Sequence, residues 1–215
     1  QGVSQTMAED DGGNVEKGDS DQIRRLVVVS NRLPVVLSRS TGGWRSEPGS
    51  GGLVTAIAPV LRDRGGLWIG WAGTPDEAGV ATALERATED AGYALIPVPL
   101  TEREVDQHYR GFSNEVVWPL FHDLQTKCNF DPLYWDAYRG VNRKCAEVTM
   151  ANTAPNDFIW IHDYHLMLAA ENLRDLGSSA RLGFFLHIPF PPLDIFLKLP
   201  WRQQVLRALL AYDLI

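Results

Sequence analysis

The sequence predicts an α/β fold, a doubly wound Rossmann-like parallel sheet, on three observations. Phe158–His162 is a short apolar run rich in β-formers, and residues 182–188 (LGFFLHI) form a second. Between them Leu166, Ala169, Ala170 and Leu173 recur at helical spacing, with Gly177 as a C-terminal stop. Strand, helix and strand in so short a stretch make a βαβ unit with parallel strands. Upstream, further buried-strand runs alternate with helical patterns, and 45% hydrophobic content allows a real core.

The elements follow in order. Residues 1–22 are rich in Gly, Ser, Asp and Glu with little to bury, and are expected to be a disordered acidic tail, with the folded domain spanning 23–215. Residues 26–29 (LVVV) form a first buried strand. Residues 35–37 and 44–46 are expected to pair as a hairpin about Gly42-Gly43. Pro48-Gly49-Ser50-Gly51-Gly52 opens a helix with Leu53, Ala56, Ile57, Val60 and Leu61 inward, bent or shortened by Pro59 and ended by Gly65-Gly66. Residues 67–71 (LWIGW) are the second strand. Thr74-Pro75 is expected to cap a helix running to Ala91, and residues 93–98 are the third strand. Thr101 and Glu104 fit a capping box, and a short helix should run toward Tyr109. Residues 111–129 read as loop. Asp131-Pro132 caps a helix with Trp135, Tyr138, Asn142, Cys145 and Val148 on one stripe. A last helix after Pro200 carries Val205, Leu206, Leu209 and Leu210, and residues 212–215 read as the start of a further strand.

Charge and composition exclude several functions. Net charge is -7 with no Lys/Arg cluster, so nucleic acid is not the expected partner. No apolar run is long enough to span a membrane, and the polar N-terminus is not a secretory signal. Cys128 and Cys145 lack redox or zinc spacing and fit structural thiols in a reducing cytosol. The His162-Asp163-Tyr164-His165 cluster has no third converging partner, so no metal site is expected.

Ligands of open parallel sheets sit beyond the carboxyl ends of the strands. Asp163 and His187 both fall there. Asp163 could bind sugar hydroxyls or act as a base, and His187 could donate to a sugar oxygen. The bland alternatives are a helix cap and a satisfied buried histidine. Arg32 ends the first strand, where a guanidinium can grip a phosphate. The loop of Gly49 to Gly52 brings backbone N–H groups and a positive helix end within reach of a phosphate, yet it is neither a Walker loop nor G-x-G-x-x-G. Tyr109 and Trp118 bracket a segment holding Arg110, Ser113 and Asn114, and aromatics with polar handles suit sugars.

Several segments occur in order: VVVSNRLPV (27–35), GSGGLV (49–54), GLWIGWAG (66–73), YRGFSN (109–114), VWPLFH (117–122), FIWIHDYHL (158–166) and FFLHIPFP (184–191). Together they resemble the N-terminal half of trehalose-6-phosphate synthases, retaining glucosyltransferases of the GT-B fold, from Leu26 onward. The resemblance implies transfer of glucose from a nucleotide-diphosphate glucose, UDP-glucose in the family, to glucose 6-phosphate without metal or cofactor. It implies that Arg32, Trp71, Tyr109, Trp118 and Asp163 hold the acceptor. Gly51 and Gly52 would meet the donor diphosphate, and His187 the donor glucose, with Asp163 and His187 at the reacting centre. The C-terminal donor domain of the family is missing, so this chain alone is expected to be inactive. Residues 199–202 (LPWR) and 122–132 also resemble glucosylglycerol-phosphate synthases, which use glycerol 3-phosphate and ADP-glucose. A non-catalytic sugar-phosphate sensor is a further alternative. Oligomeric state is open, a homo-oligomer included.

Overall fold

The computed structural model describes residues 25–41, 43–74 and 79–215. The expected tail, Gly42 and Pro75 lie outside them. Among the described residues the strands are β1 (Leu26–Arg32), β2 (Val35–Ser40), β3 (Gly43–Pro48), β4 (Gly66–Trp71), β5 (Ala94–Pro97), β6 (Phe158–His162) and β7 (Arg181–Phe185). The helices are α1 (Gly52–Arg64), α2 (Val80–Ala91), α3 (Glu102–Glu104), α4 (Trp118–Phe121), α5 (Pro132–Asn152), α6 (Ala169–Asp175), α7 (Leu193–Phe196) and α8 (Arg202–Leu209). A wide π-helix, Val105–Val117, joins α3 to α4.

Five strands form a parallel sheet in the order β5-β4-β1-β6-β7, and β2 and β3 form a separate antiparallel hairpin. Strand alternation splits the apolar residues between two cores. Val28, Trp68 and Leu95 face Ile57 and Leu61 of α1 and Val80, Leu84 and Ala87 of α2. Val27, Val29, Ile69, Ile159, Ile161 and Leu182 face the π-helix, α5, α6 and α8. Helices cover both faces, as a doubly wound sheet requires. The chain order reverses between β1 and β6, which places the crevice of this fold at their carboxyl ends.

Several expectations need correction. Residues 111–121 are helical, not loop. The Tyr134 ring lies where a Gly111 side chain would stand, and Pro119 sits where the π-helix passes directly into α4, with Glu115 O, four residues back, accepting from Asn129 N (2.9 Å). Burial of Phe112, Val116, Val117 and Leu120 then outweighs propensity. Pro59 does not shorten α1, which runs on to Arg64. The buried stripe of α1 is Ile57 and Leu61, flanked by Leu53, Val54 and Ala58, while Ala56 and Val60 are exposed. The helix expected from Thr74-Pro75 begins at Val80, capped by Gly79. In α8, Val205, Ala208 and Leu209 are buried, while Leu206 and, just past the helix end, Leu210 are exposed. After Asp163 the chain makes one tight turn, Tyr164–Leu166, before α6 starts. Strand β7 ends at Phe185, so His187 lies past the strand rather than on it. The final segment contributes a single parallel bridge, Leu214 to Gly183. The Thr101/Glu104 capping box and the Asp131 cap are as expected.

Helix α5 clamps the turn that follows β6. Buried Tyr138 donates its hydroxyl to Tyr164 O (2.7 Å) and accepts from Met167 N (3.1 Å). Buried Asn142 donates to His165 O and accepts from Leu168 N, both at 3.0 Å. The Tyr138→Phe variant leaves a buried N–H and a buried C=O short of a partner. It should lose about 2 kcal/mol in urea denaturation, and an unchanged midpoint would show that the clamp is idle.

Candidate functional site

Arg32 and Trp71 are brought together by a bulge. The pairing of β1 with β4 shifts register between Val29 and Arg32. Ser30 Oγ accepts from Trp68 Nε1 and donates to Arg32 O, both at 2.7 Å, and Leu33 N donates to Trp71 O (2.9 Å). The extra residue swings the exposed guanidinium over the Trp71 ring, 5.2 Å from its centroid, a cation–π contact. Trp71 Nε1 in turn donates to Thr74 O (3.2 Å). Gly73, at φ 85°, lies against the guanidinium so closely that a β-carbon there would push the end of the Arg32 side chain aside. Gly73 is therefore part of this corner, though the sequence gives it no role beyond its place in the GLWIGWAG segment. A cavity of about 600 Å³ opens beside it, lined by Trp71, Gly73, Leu100, Arg103, Asp106 and Arg110 among others. A wider groove of about 810 Å³ along α5, α6 and α8 contains none of the candidate residues.

Asp163 stands across the reversal point from Arg32. Its backbone is at φ 74°, ψ 164°, a region that is essentially glycine's. Its Oδ1 accepts from Tyr164 N (2.9 Å) and His187 N (3.2 Å), tying the end of β6 to the segment after β7. The capping role considered from sequence is thus real, and Oδ2 remains directed toward His165 Nδ1 at 3.9 Å. Burial pushes the Asp163 carboxyl up, partly offset by the two backbone N–H groups. His187 is exposed, with its Nε2 3.1 Å from Nδ1 of buried His162. Tyr109, half-buried on the π-helix, stacks on His165 at 5.6 Å, and Tyr164 OH donates to Asn114 Oδ1 (3.1 Å).

The structure therefore joins Tyr109, His165, Asp163 and His187 in one chain of contacts, and Arg32 with Trp71 in another, at carboxyl ends of parallel strands. Trp118 is 40% exposed and stacks on His122 at 4.2 Å, outside both groups. Gly51 (φ 138°) and Gly52 are exposed at the start of α1, a helix of 13 residues, and nothing crowds either α-carbon. Helix α1 follows the hairpin after β1 and runs back to β4, so its N-terminus lies at the same rim. His162 carries no functional expectation from the sequence beyond its place in the His-Asp-Tyr-His cluster, whose residue types suggest a metal site before anything else. Among the described residues no group of three or more His, Cys, Asp or Glu could hold a metal, and no helix is long and apolar enough to cross a membrane.

Comparison with known proteins agrees with this architecture. The model of glycosyltransferase family 20 matches residues 24–215. Trehalose-6-phosphate synthase of Mycobacterium sp. (strain KMS) is 45% identical over 210 residues, covering 97% of this chain and 41% of the relative. Two solved structures superpose with TM-score 0.70. Trehalose-6-phosphate synthase from E. coli bound with UDP-2-fluoro glucose is 36% identical, and the α,α-trehalose-phosphate synthase (UDP-forming) from Burkholderia xenovorans in complex with glucose-6-phosphate is 33% identical. Each match covers 88% of this chain and 39% of the other. The chain thus spans about two fifths of the length of these relatives. The fold class expected from sequence, the doubly wound N-terminal domain of a GT-B transferase, is the one it adopts. On these matches the chain belongs to glycosyltransferase family 20.

Proposed function

We propose that this chain is the acceptor-binding portion of a trehalose-6-phosphate synthase, moving glucose from a nucleotide-diphosphate glucose to glucose 6-phosphate with retained anomeric configuration. The observation that supports this most is the grouping of Arg32, Asp163 and His187 at the carboxyl rim, around the reversal between β1 and β6. The ligands bound in the two related structures, UDP-2-fluoro glucose and glucose-6-phosphate, are of the same chemistry.

In this reading Arg32 neutralises the acceptor phosphate, held in place by Trp71 and by the absence of a side chain at Gly73. Tyr109 and Trp118 flank the hexose, and the Asp163 carboxylate accepts from its hydroxyls. The N–H groups of Gly51 and Gly52, with the positive end of α1, face the donor diphosphate. His187 donates to the transferred glucose. No carboxylate need attack the sugar. The leaving phosphate takes the proton of the incoming hydroxyl on the same face, and the protein supplies position and charge stabilisation. Residues that grip the nucleotide lie in the part of the enzyme beyond this chain, and the setting is cytoplasmic.

Thermal denaturation with glucose 6-phosphate tests the reading. Ligand at about a hundredfold excess over Kd stabilises by about 2.7 kcal/mol, a rise of roughly 5–10 °C for a domain of this size. The rise should vanish in Arg32→Ala. A response to glycerol 3-phosphate in place of glucose 6-phosphate would reassign the acceptor, and no response to either would end the proposal. Alone, the chain should form no disaccharide phosphate from acceptor and UDP-glucose, and adding the remaining part of the enzyme should restore product.

A further inference from the structure

His162 and His187 leave neighbouring strands with their rings stacked at 5.4 Å and with His162 Nδ1 3.1 Å from His187 Nε2. A hydrogen bond between two neutral imidazoles needs an N–H on one and a lone pair on the other. The structure indicates which is which. His162 is 1% exposed, packed against the rings of Trp160 (4.7 Å) and Phe185 (6.5 Å). Its Nε2 is buried with no hydrogen-bond partner. A neutral imidazole carries a single ring hydrogen. On Nε2 that hydrogen would be a buried donor with no acceptor, whereas the bare lone pair left there by the other tautomer is the better tolerated of the two orphans. On Nδ1 it points at His187. The buried ring is therefore the donor and His187 Nε2 the acceptor, which leaves the hydrogen of His187 on Nδ1.

We propose that His162 is a positioning residue that fixes exposed His187 as its Nδ1–H tautomer, so that His187 meets the transferred sugar as a hydrogen-bond donor through Nδ1 with Nε2 tied back. This role rests on the reading in which His187 faces the donor glucose. The bond at Nε2 holds the ring plane, and the bond from His187 N to Asp163 Oδ1 (3.2 Å) holds its backbone. A sugar oxygen then finds a donor already oriented, without a tautomer change or ring flip on binding. Burial, and secondarily the charge of His187, lowers the His162 pKa to about 4, so the donor ring stays neutral at neutral pH.

The test is long-range ¹H–¹⁵N correlation on the ¹⁵N-histidine-labelled chain at about pH 8, where ordinary imidazole is neutral. The expected spectrum shows a hydrogen-bearing Nδ1 and a bare Nε2 for both His162 and His187. A hydrogen-bearing Nε2 on His187, or a mixture, would overturn the proposal. Two variants sharpen it. In His162→Asn the amide nitrogen takes the place of Nδ1, and His187 should stay locked. In His162→Gln the amide nitrogen takes the place of Nε2, and His187 should revert to the solution mixture dominated by Nε2–H. Equal tautomer populations in the two variants would refute the lock. Circular dichroism checks that both are folded, and if neither folds the wild-type spectrum decides alone. These readouts need no substrate, so failure of the lock and failure of glucose 6-phosphate to shift the melting temperature are separate results.

Discussion

The folded chain is expected to lose its stability between about pH 6 and pH 4, above the range in which ordinary carboxylates titrate. Three histidines account for this. His108 and His162 have pKa values lowered to about 4, and His165 to about 3, in each case chiefly by burial. Their polar partners do not compensate. His108 Nε2 bonds to His165 O (3.0 Å), yet its Nδ1 and both nitrogens of His165 are buried without hydrogen-bond partners, Asp163 Oδ2 standing 3.9 Å from His165 Nδ1. Each ring is depressed in the folded state, so below about pH 6.5 the unfolded chain takes up protons first and stability falls as pH falls. At pH 4 each ring costs on the order of 3 kcal/mol, and the three together cost about 10, comparable with the whole stability of a typical domain. Asp163 works in the other direction, since its raised pKa favours the folded state as it protonates, but it is a single group. Urea midpoints measured from about pH 8 down to pH 4 should fall steeply over this range. His108→Gln keeps a donor in the place of Nε2 and removes one titrating ring, so the slope should lessen by about 1.4 kcal/mol per pH unit. Stability that stayed level down to pH 4 would show that these rings are not held neutral.

The sheet was legible because its strands are buried on both faces and so read as continuous apolar runs, as in Phe158–His162, whose bounds match the expectation. What failed was local chemistry overruled by neighbours far off in sequence. Gly111 is explained by the ring of Tyr134, which no window around residue 111 contains. Leu206 and Leu210 look like core residues in a helical repeat, but Ala208 takes the inward position. The same division runs through the site. Arg32, Asp163 and His187 could be proposed from the sequence because a parallel sheet makes strand ends special, a rule that needs only the strand assignment. Gly73 and His162 could not, because the roles proposed for them rest on a contact distance. Gly73 matters through a guanidinium that arrives from residue 32, and His162 through an imidazole that arrives from residue 187. Neither spacing exists until β1 lies beside β4 and β6 beside β7.

Asp163 should separate stability from binding in a way no ordinary surface aspartate would. Its φ of 74° and ψ of 164° are costly for any residue with a β-carbon, by about 1–3 kcal/mol, and such strain gathers at working sites. Asp163→Ala keeps that strain and removes the carboxylate that accepts from Tyr164 N and His187 N. It should lose about 2 kcal/mol, a carboxylate's two bonds less the relief of a half-buried charge. Asp163→Gly loses the same bonds but frees the backbone, and should be more stable than the alanine variant by about 1–2 kcal/mol. Elsewhere in a fold glycine is normally the less stable of the two, because the unfolded chain gains more freedom. Both variants should fail to respond to glucose 6-phosphate in thermal denaturation, because the group proposed to accept from the sugar hydroxyls is gone. Alanine equal to or better than glycine would mean that the backbone at this position is relaxed. A retained response to glucose 6-phosphate in either variant would remove Asp163 from the acceptor site while leaving Arg32 in it.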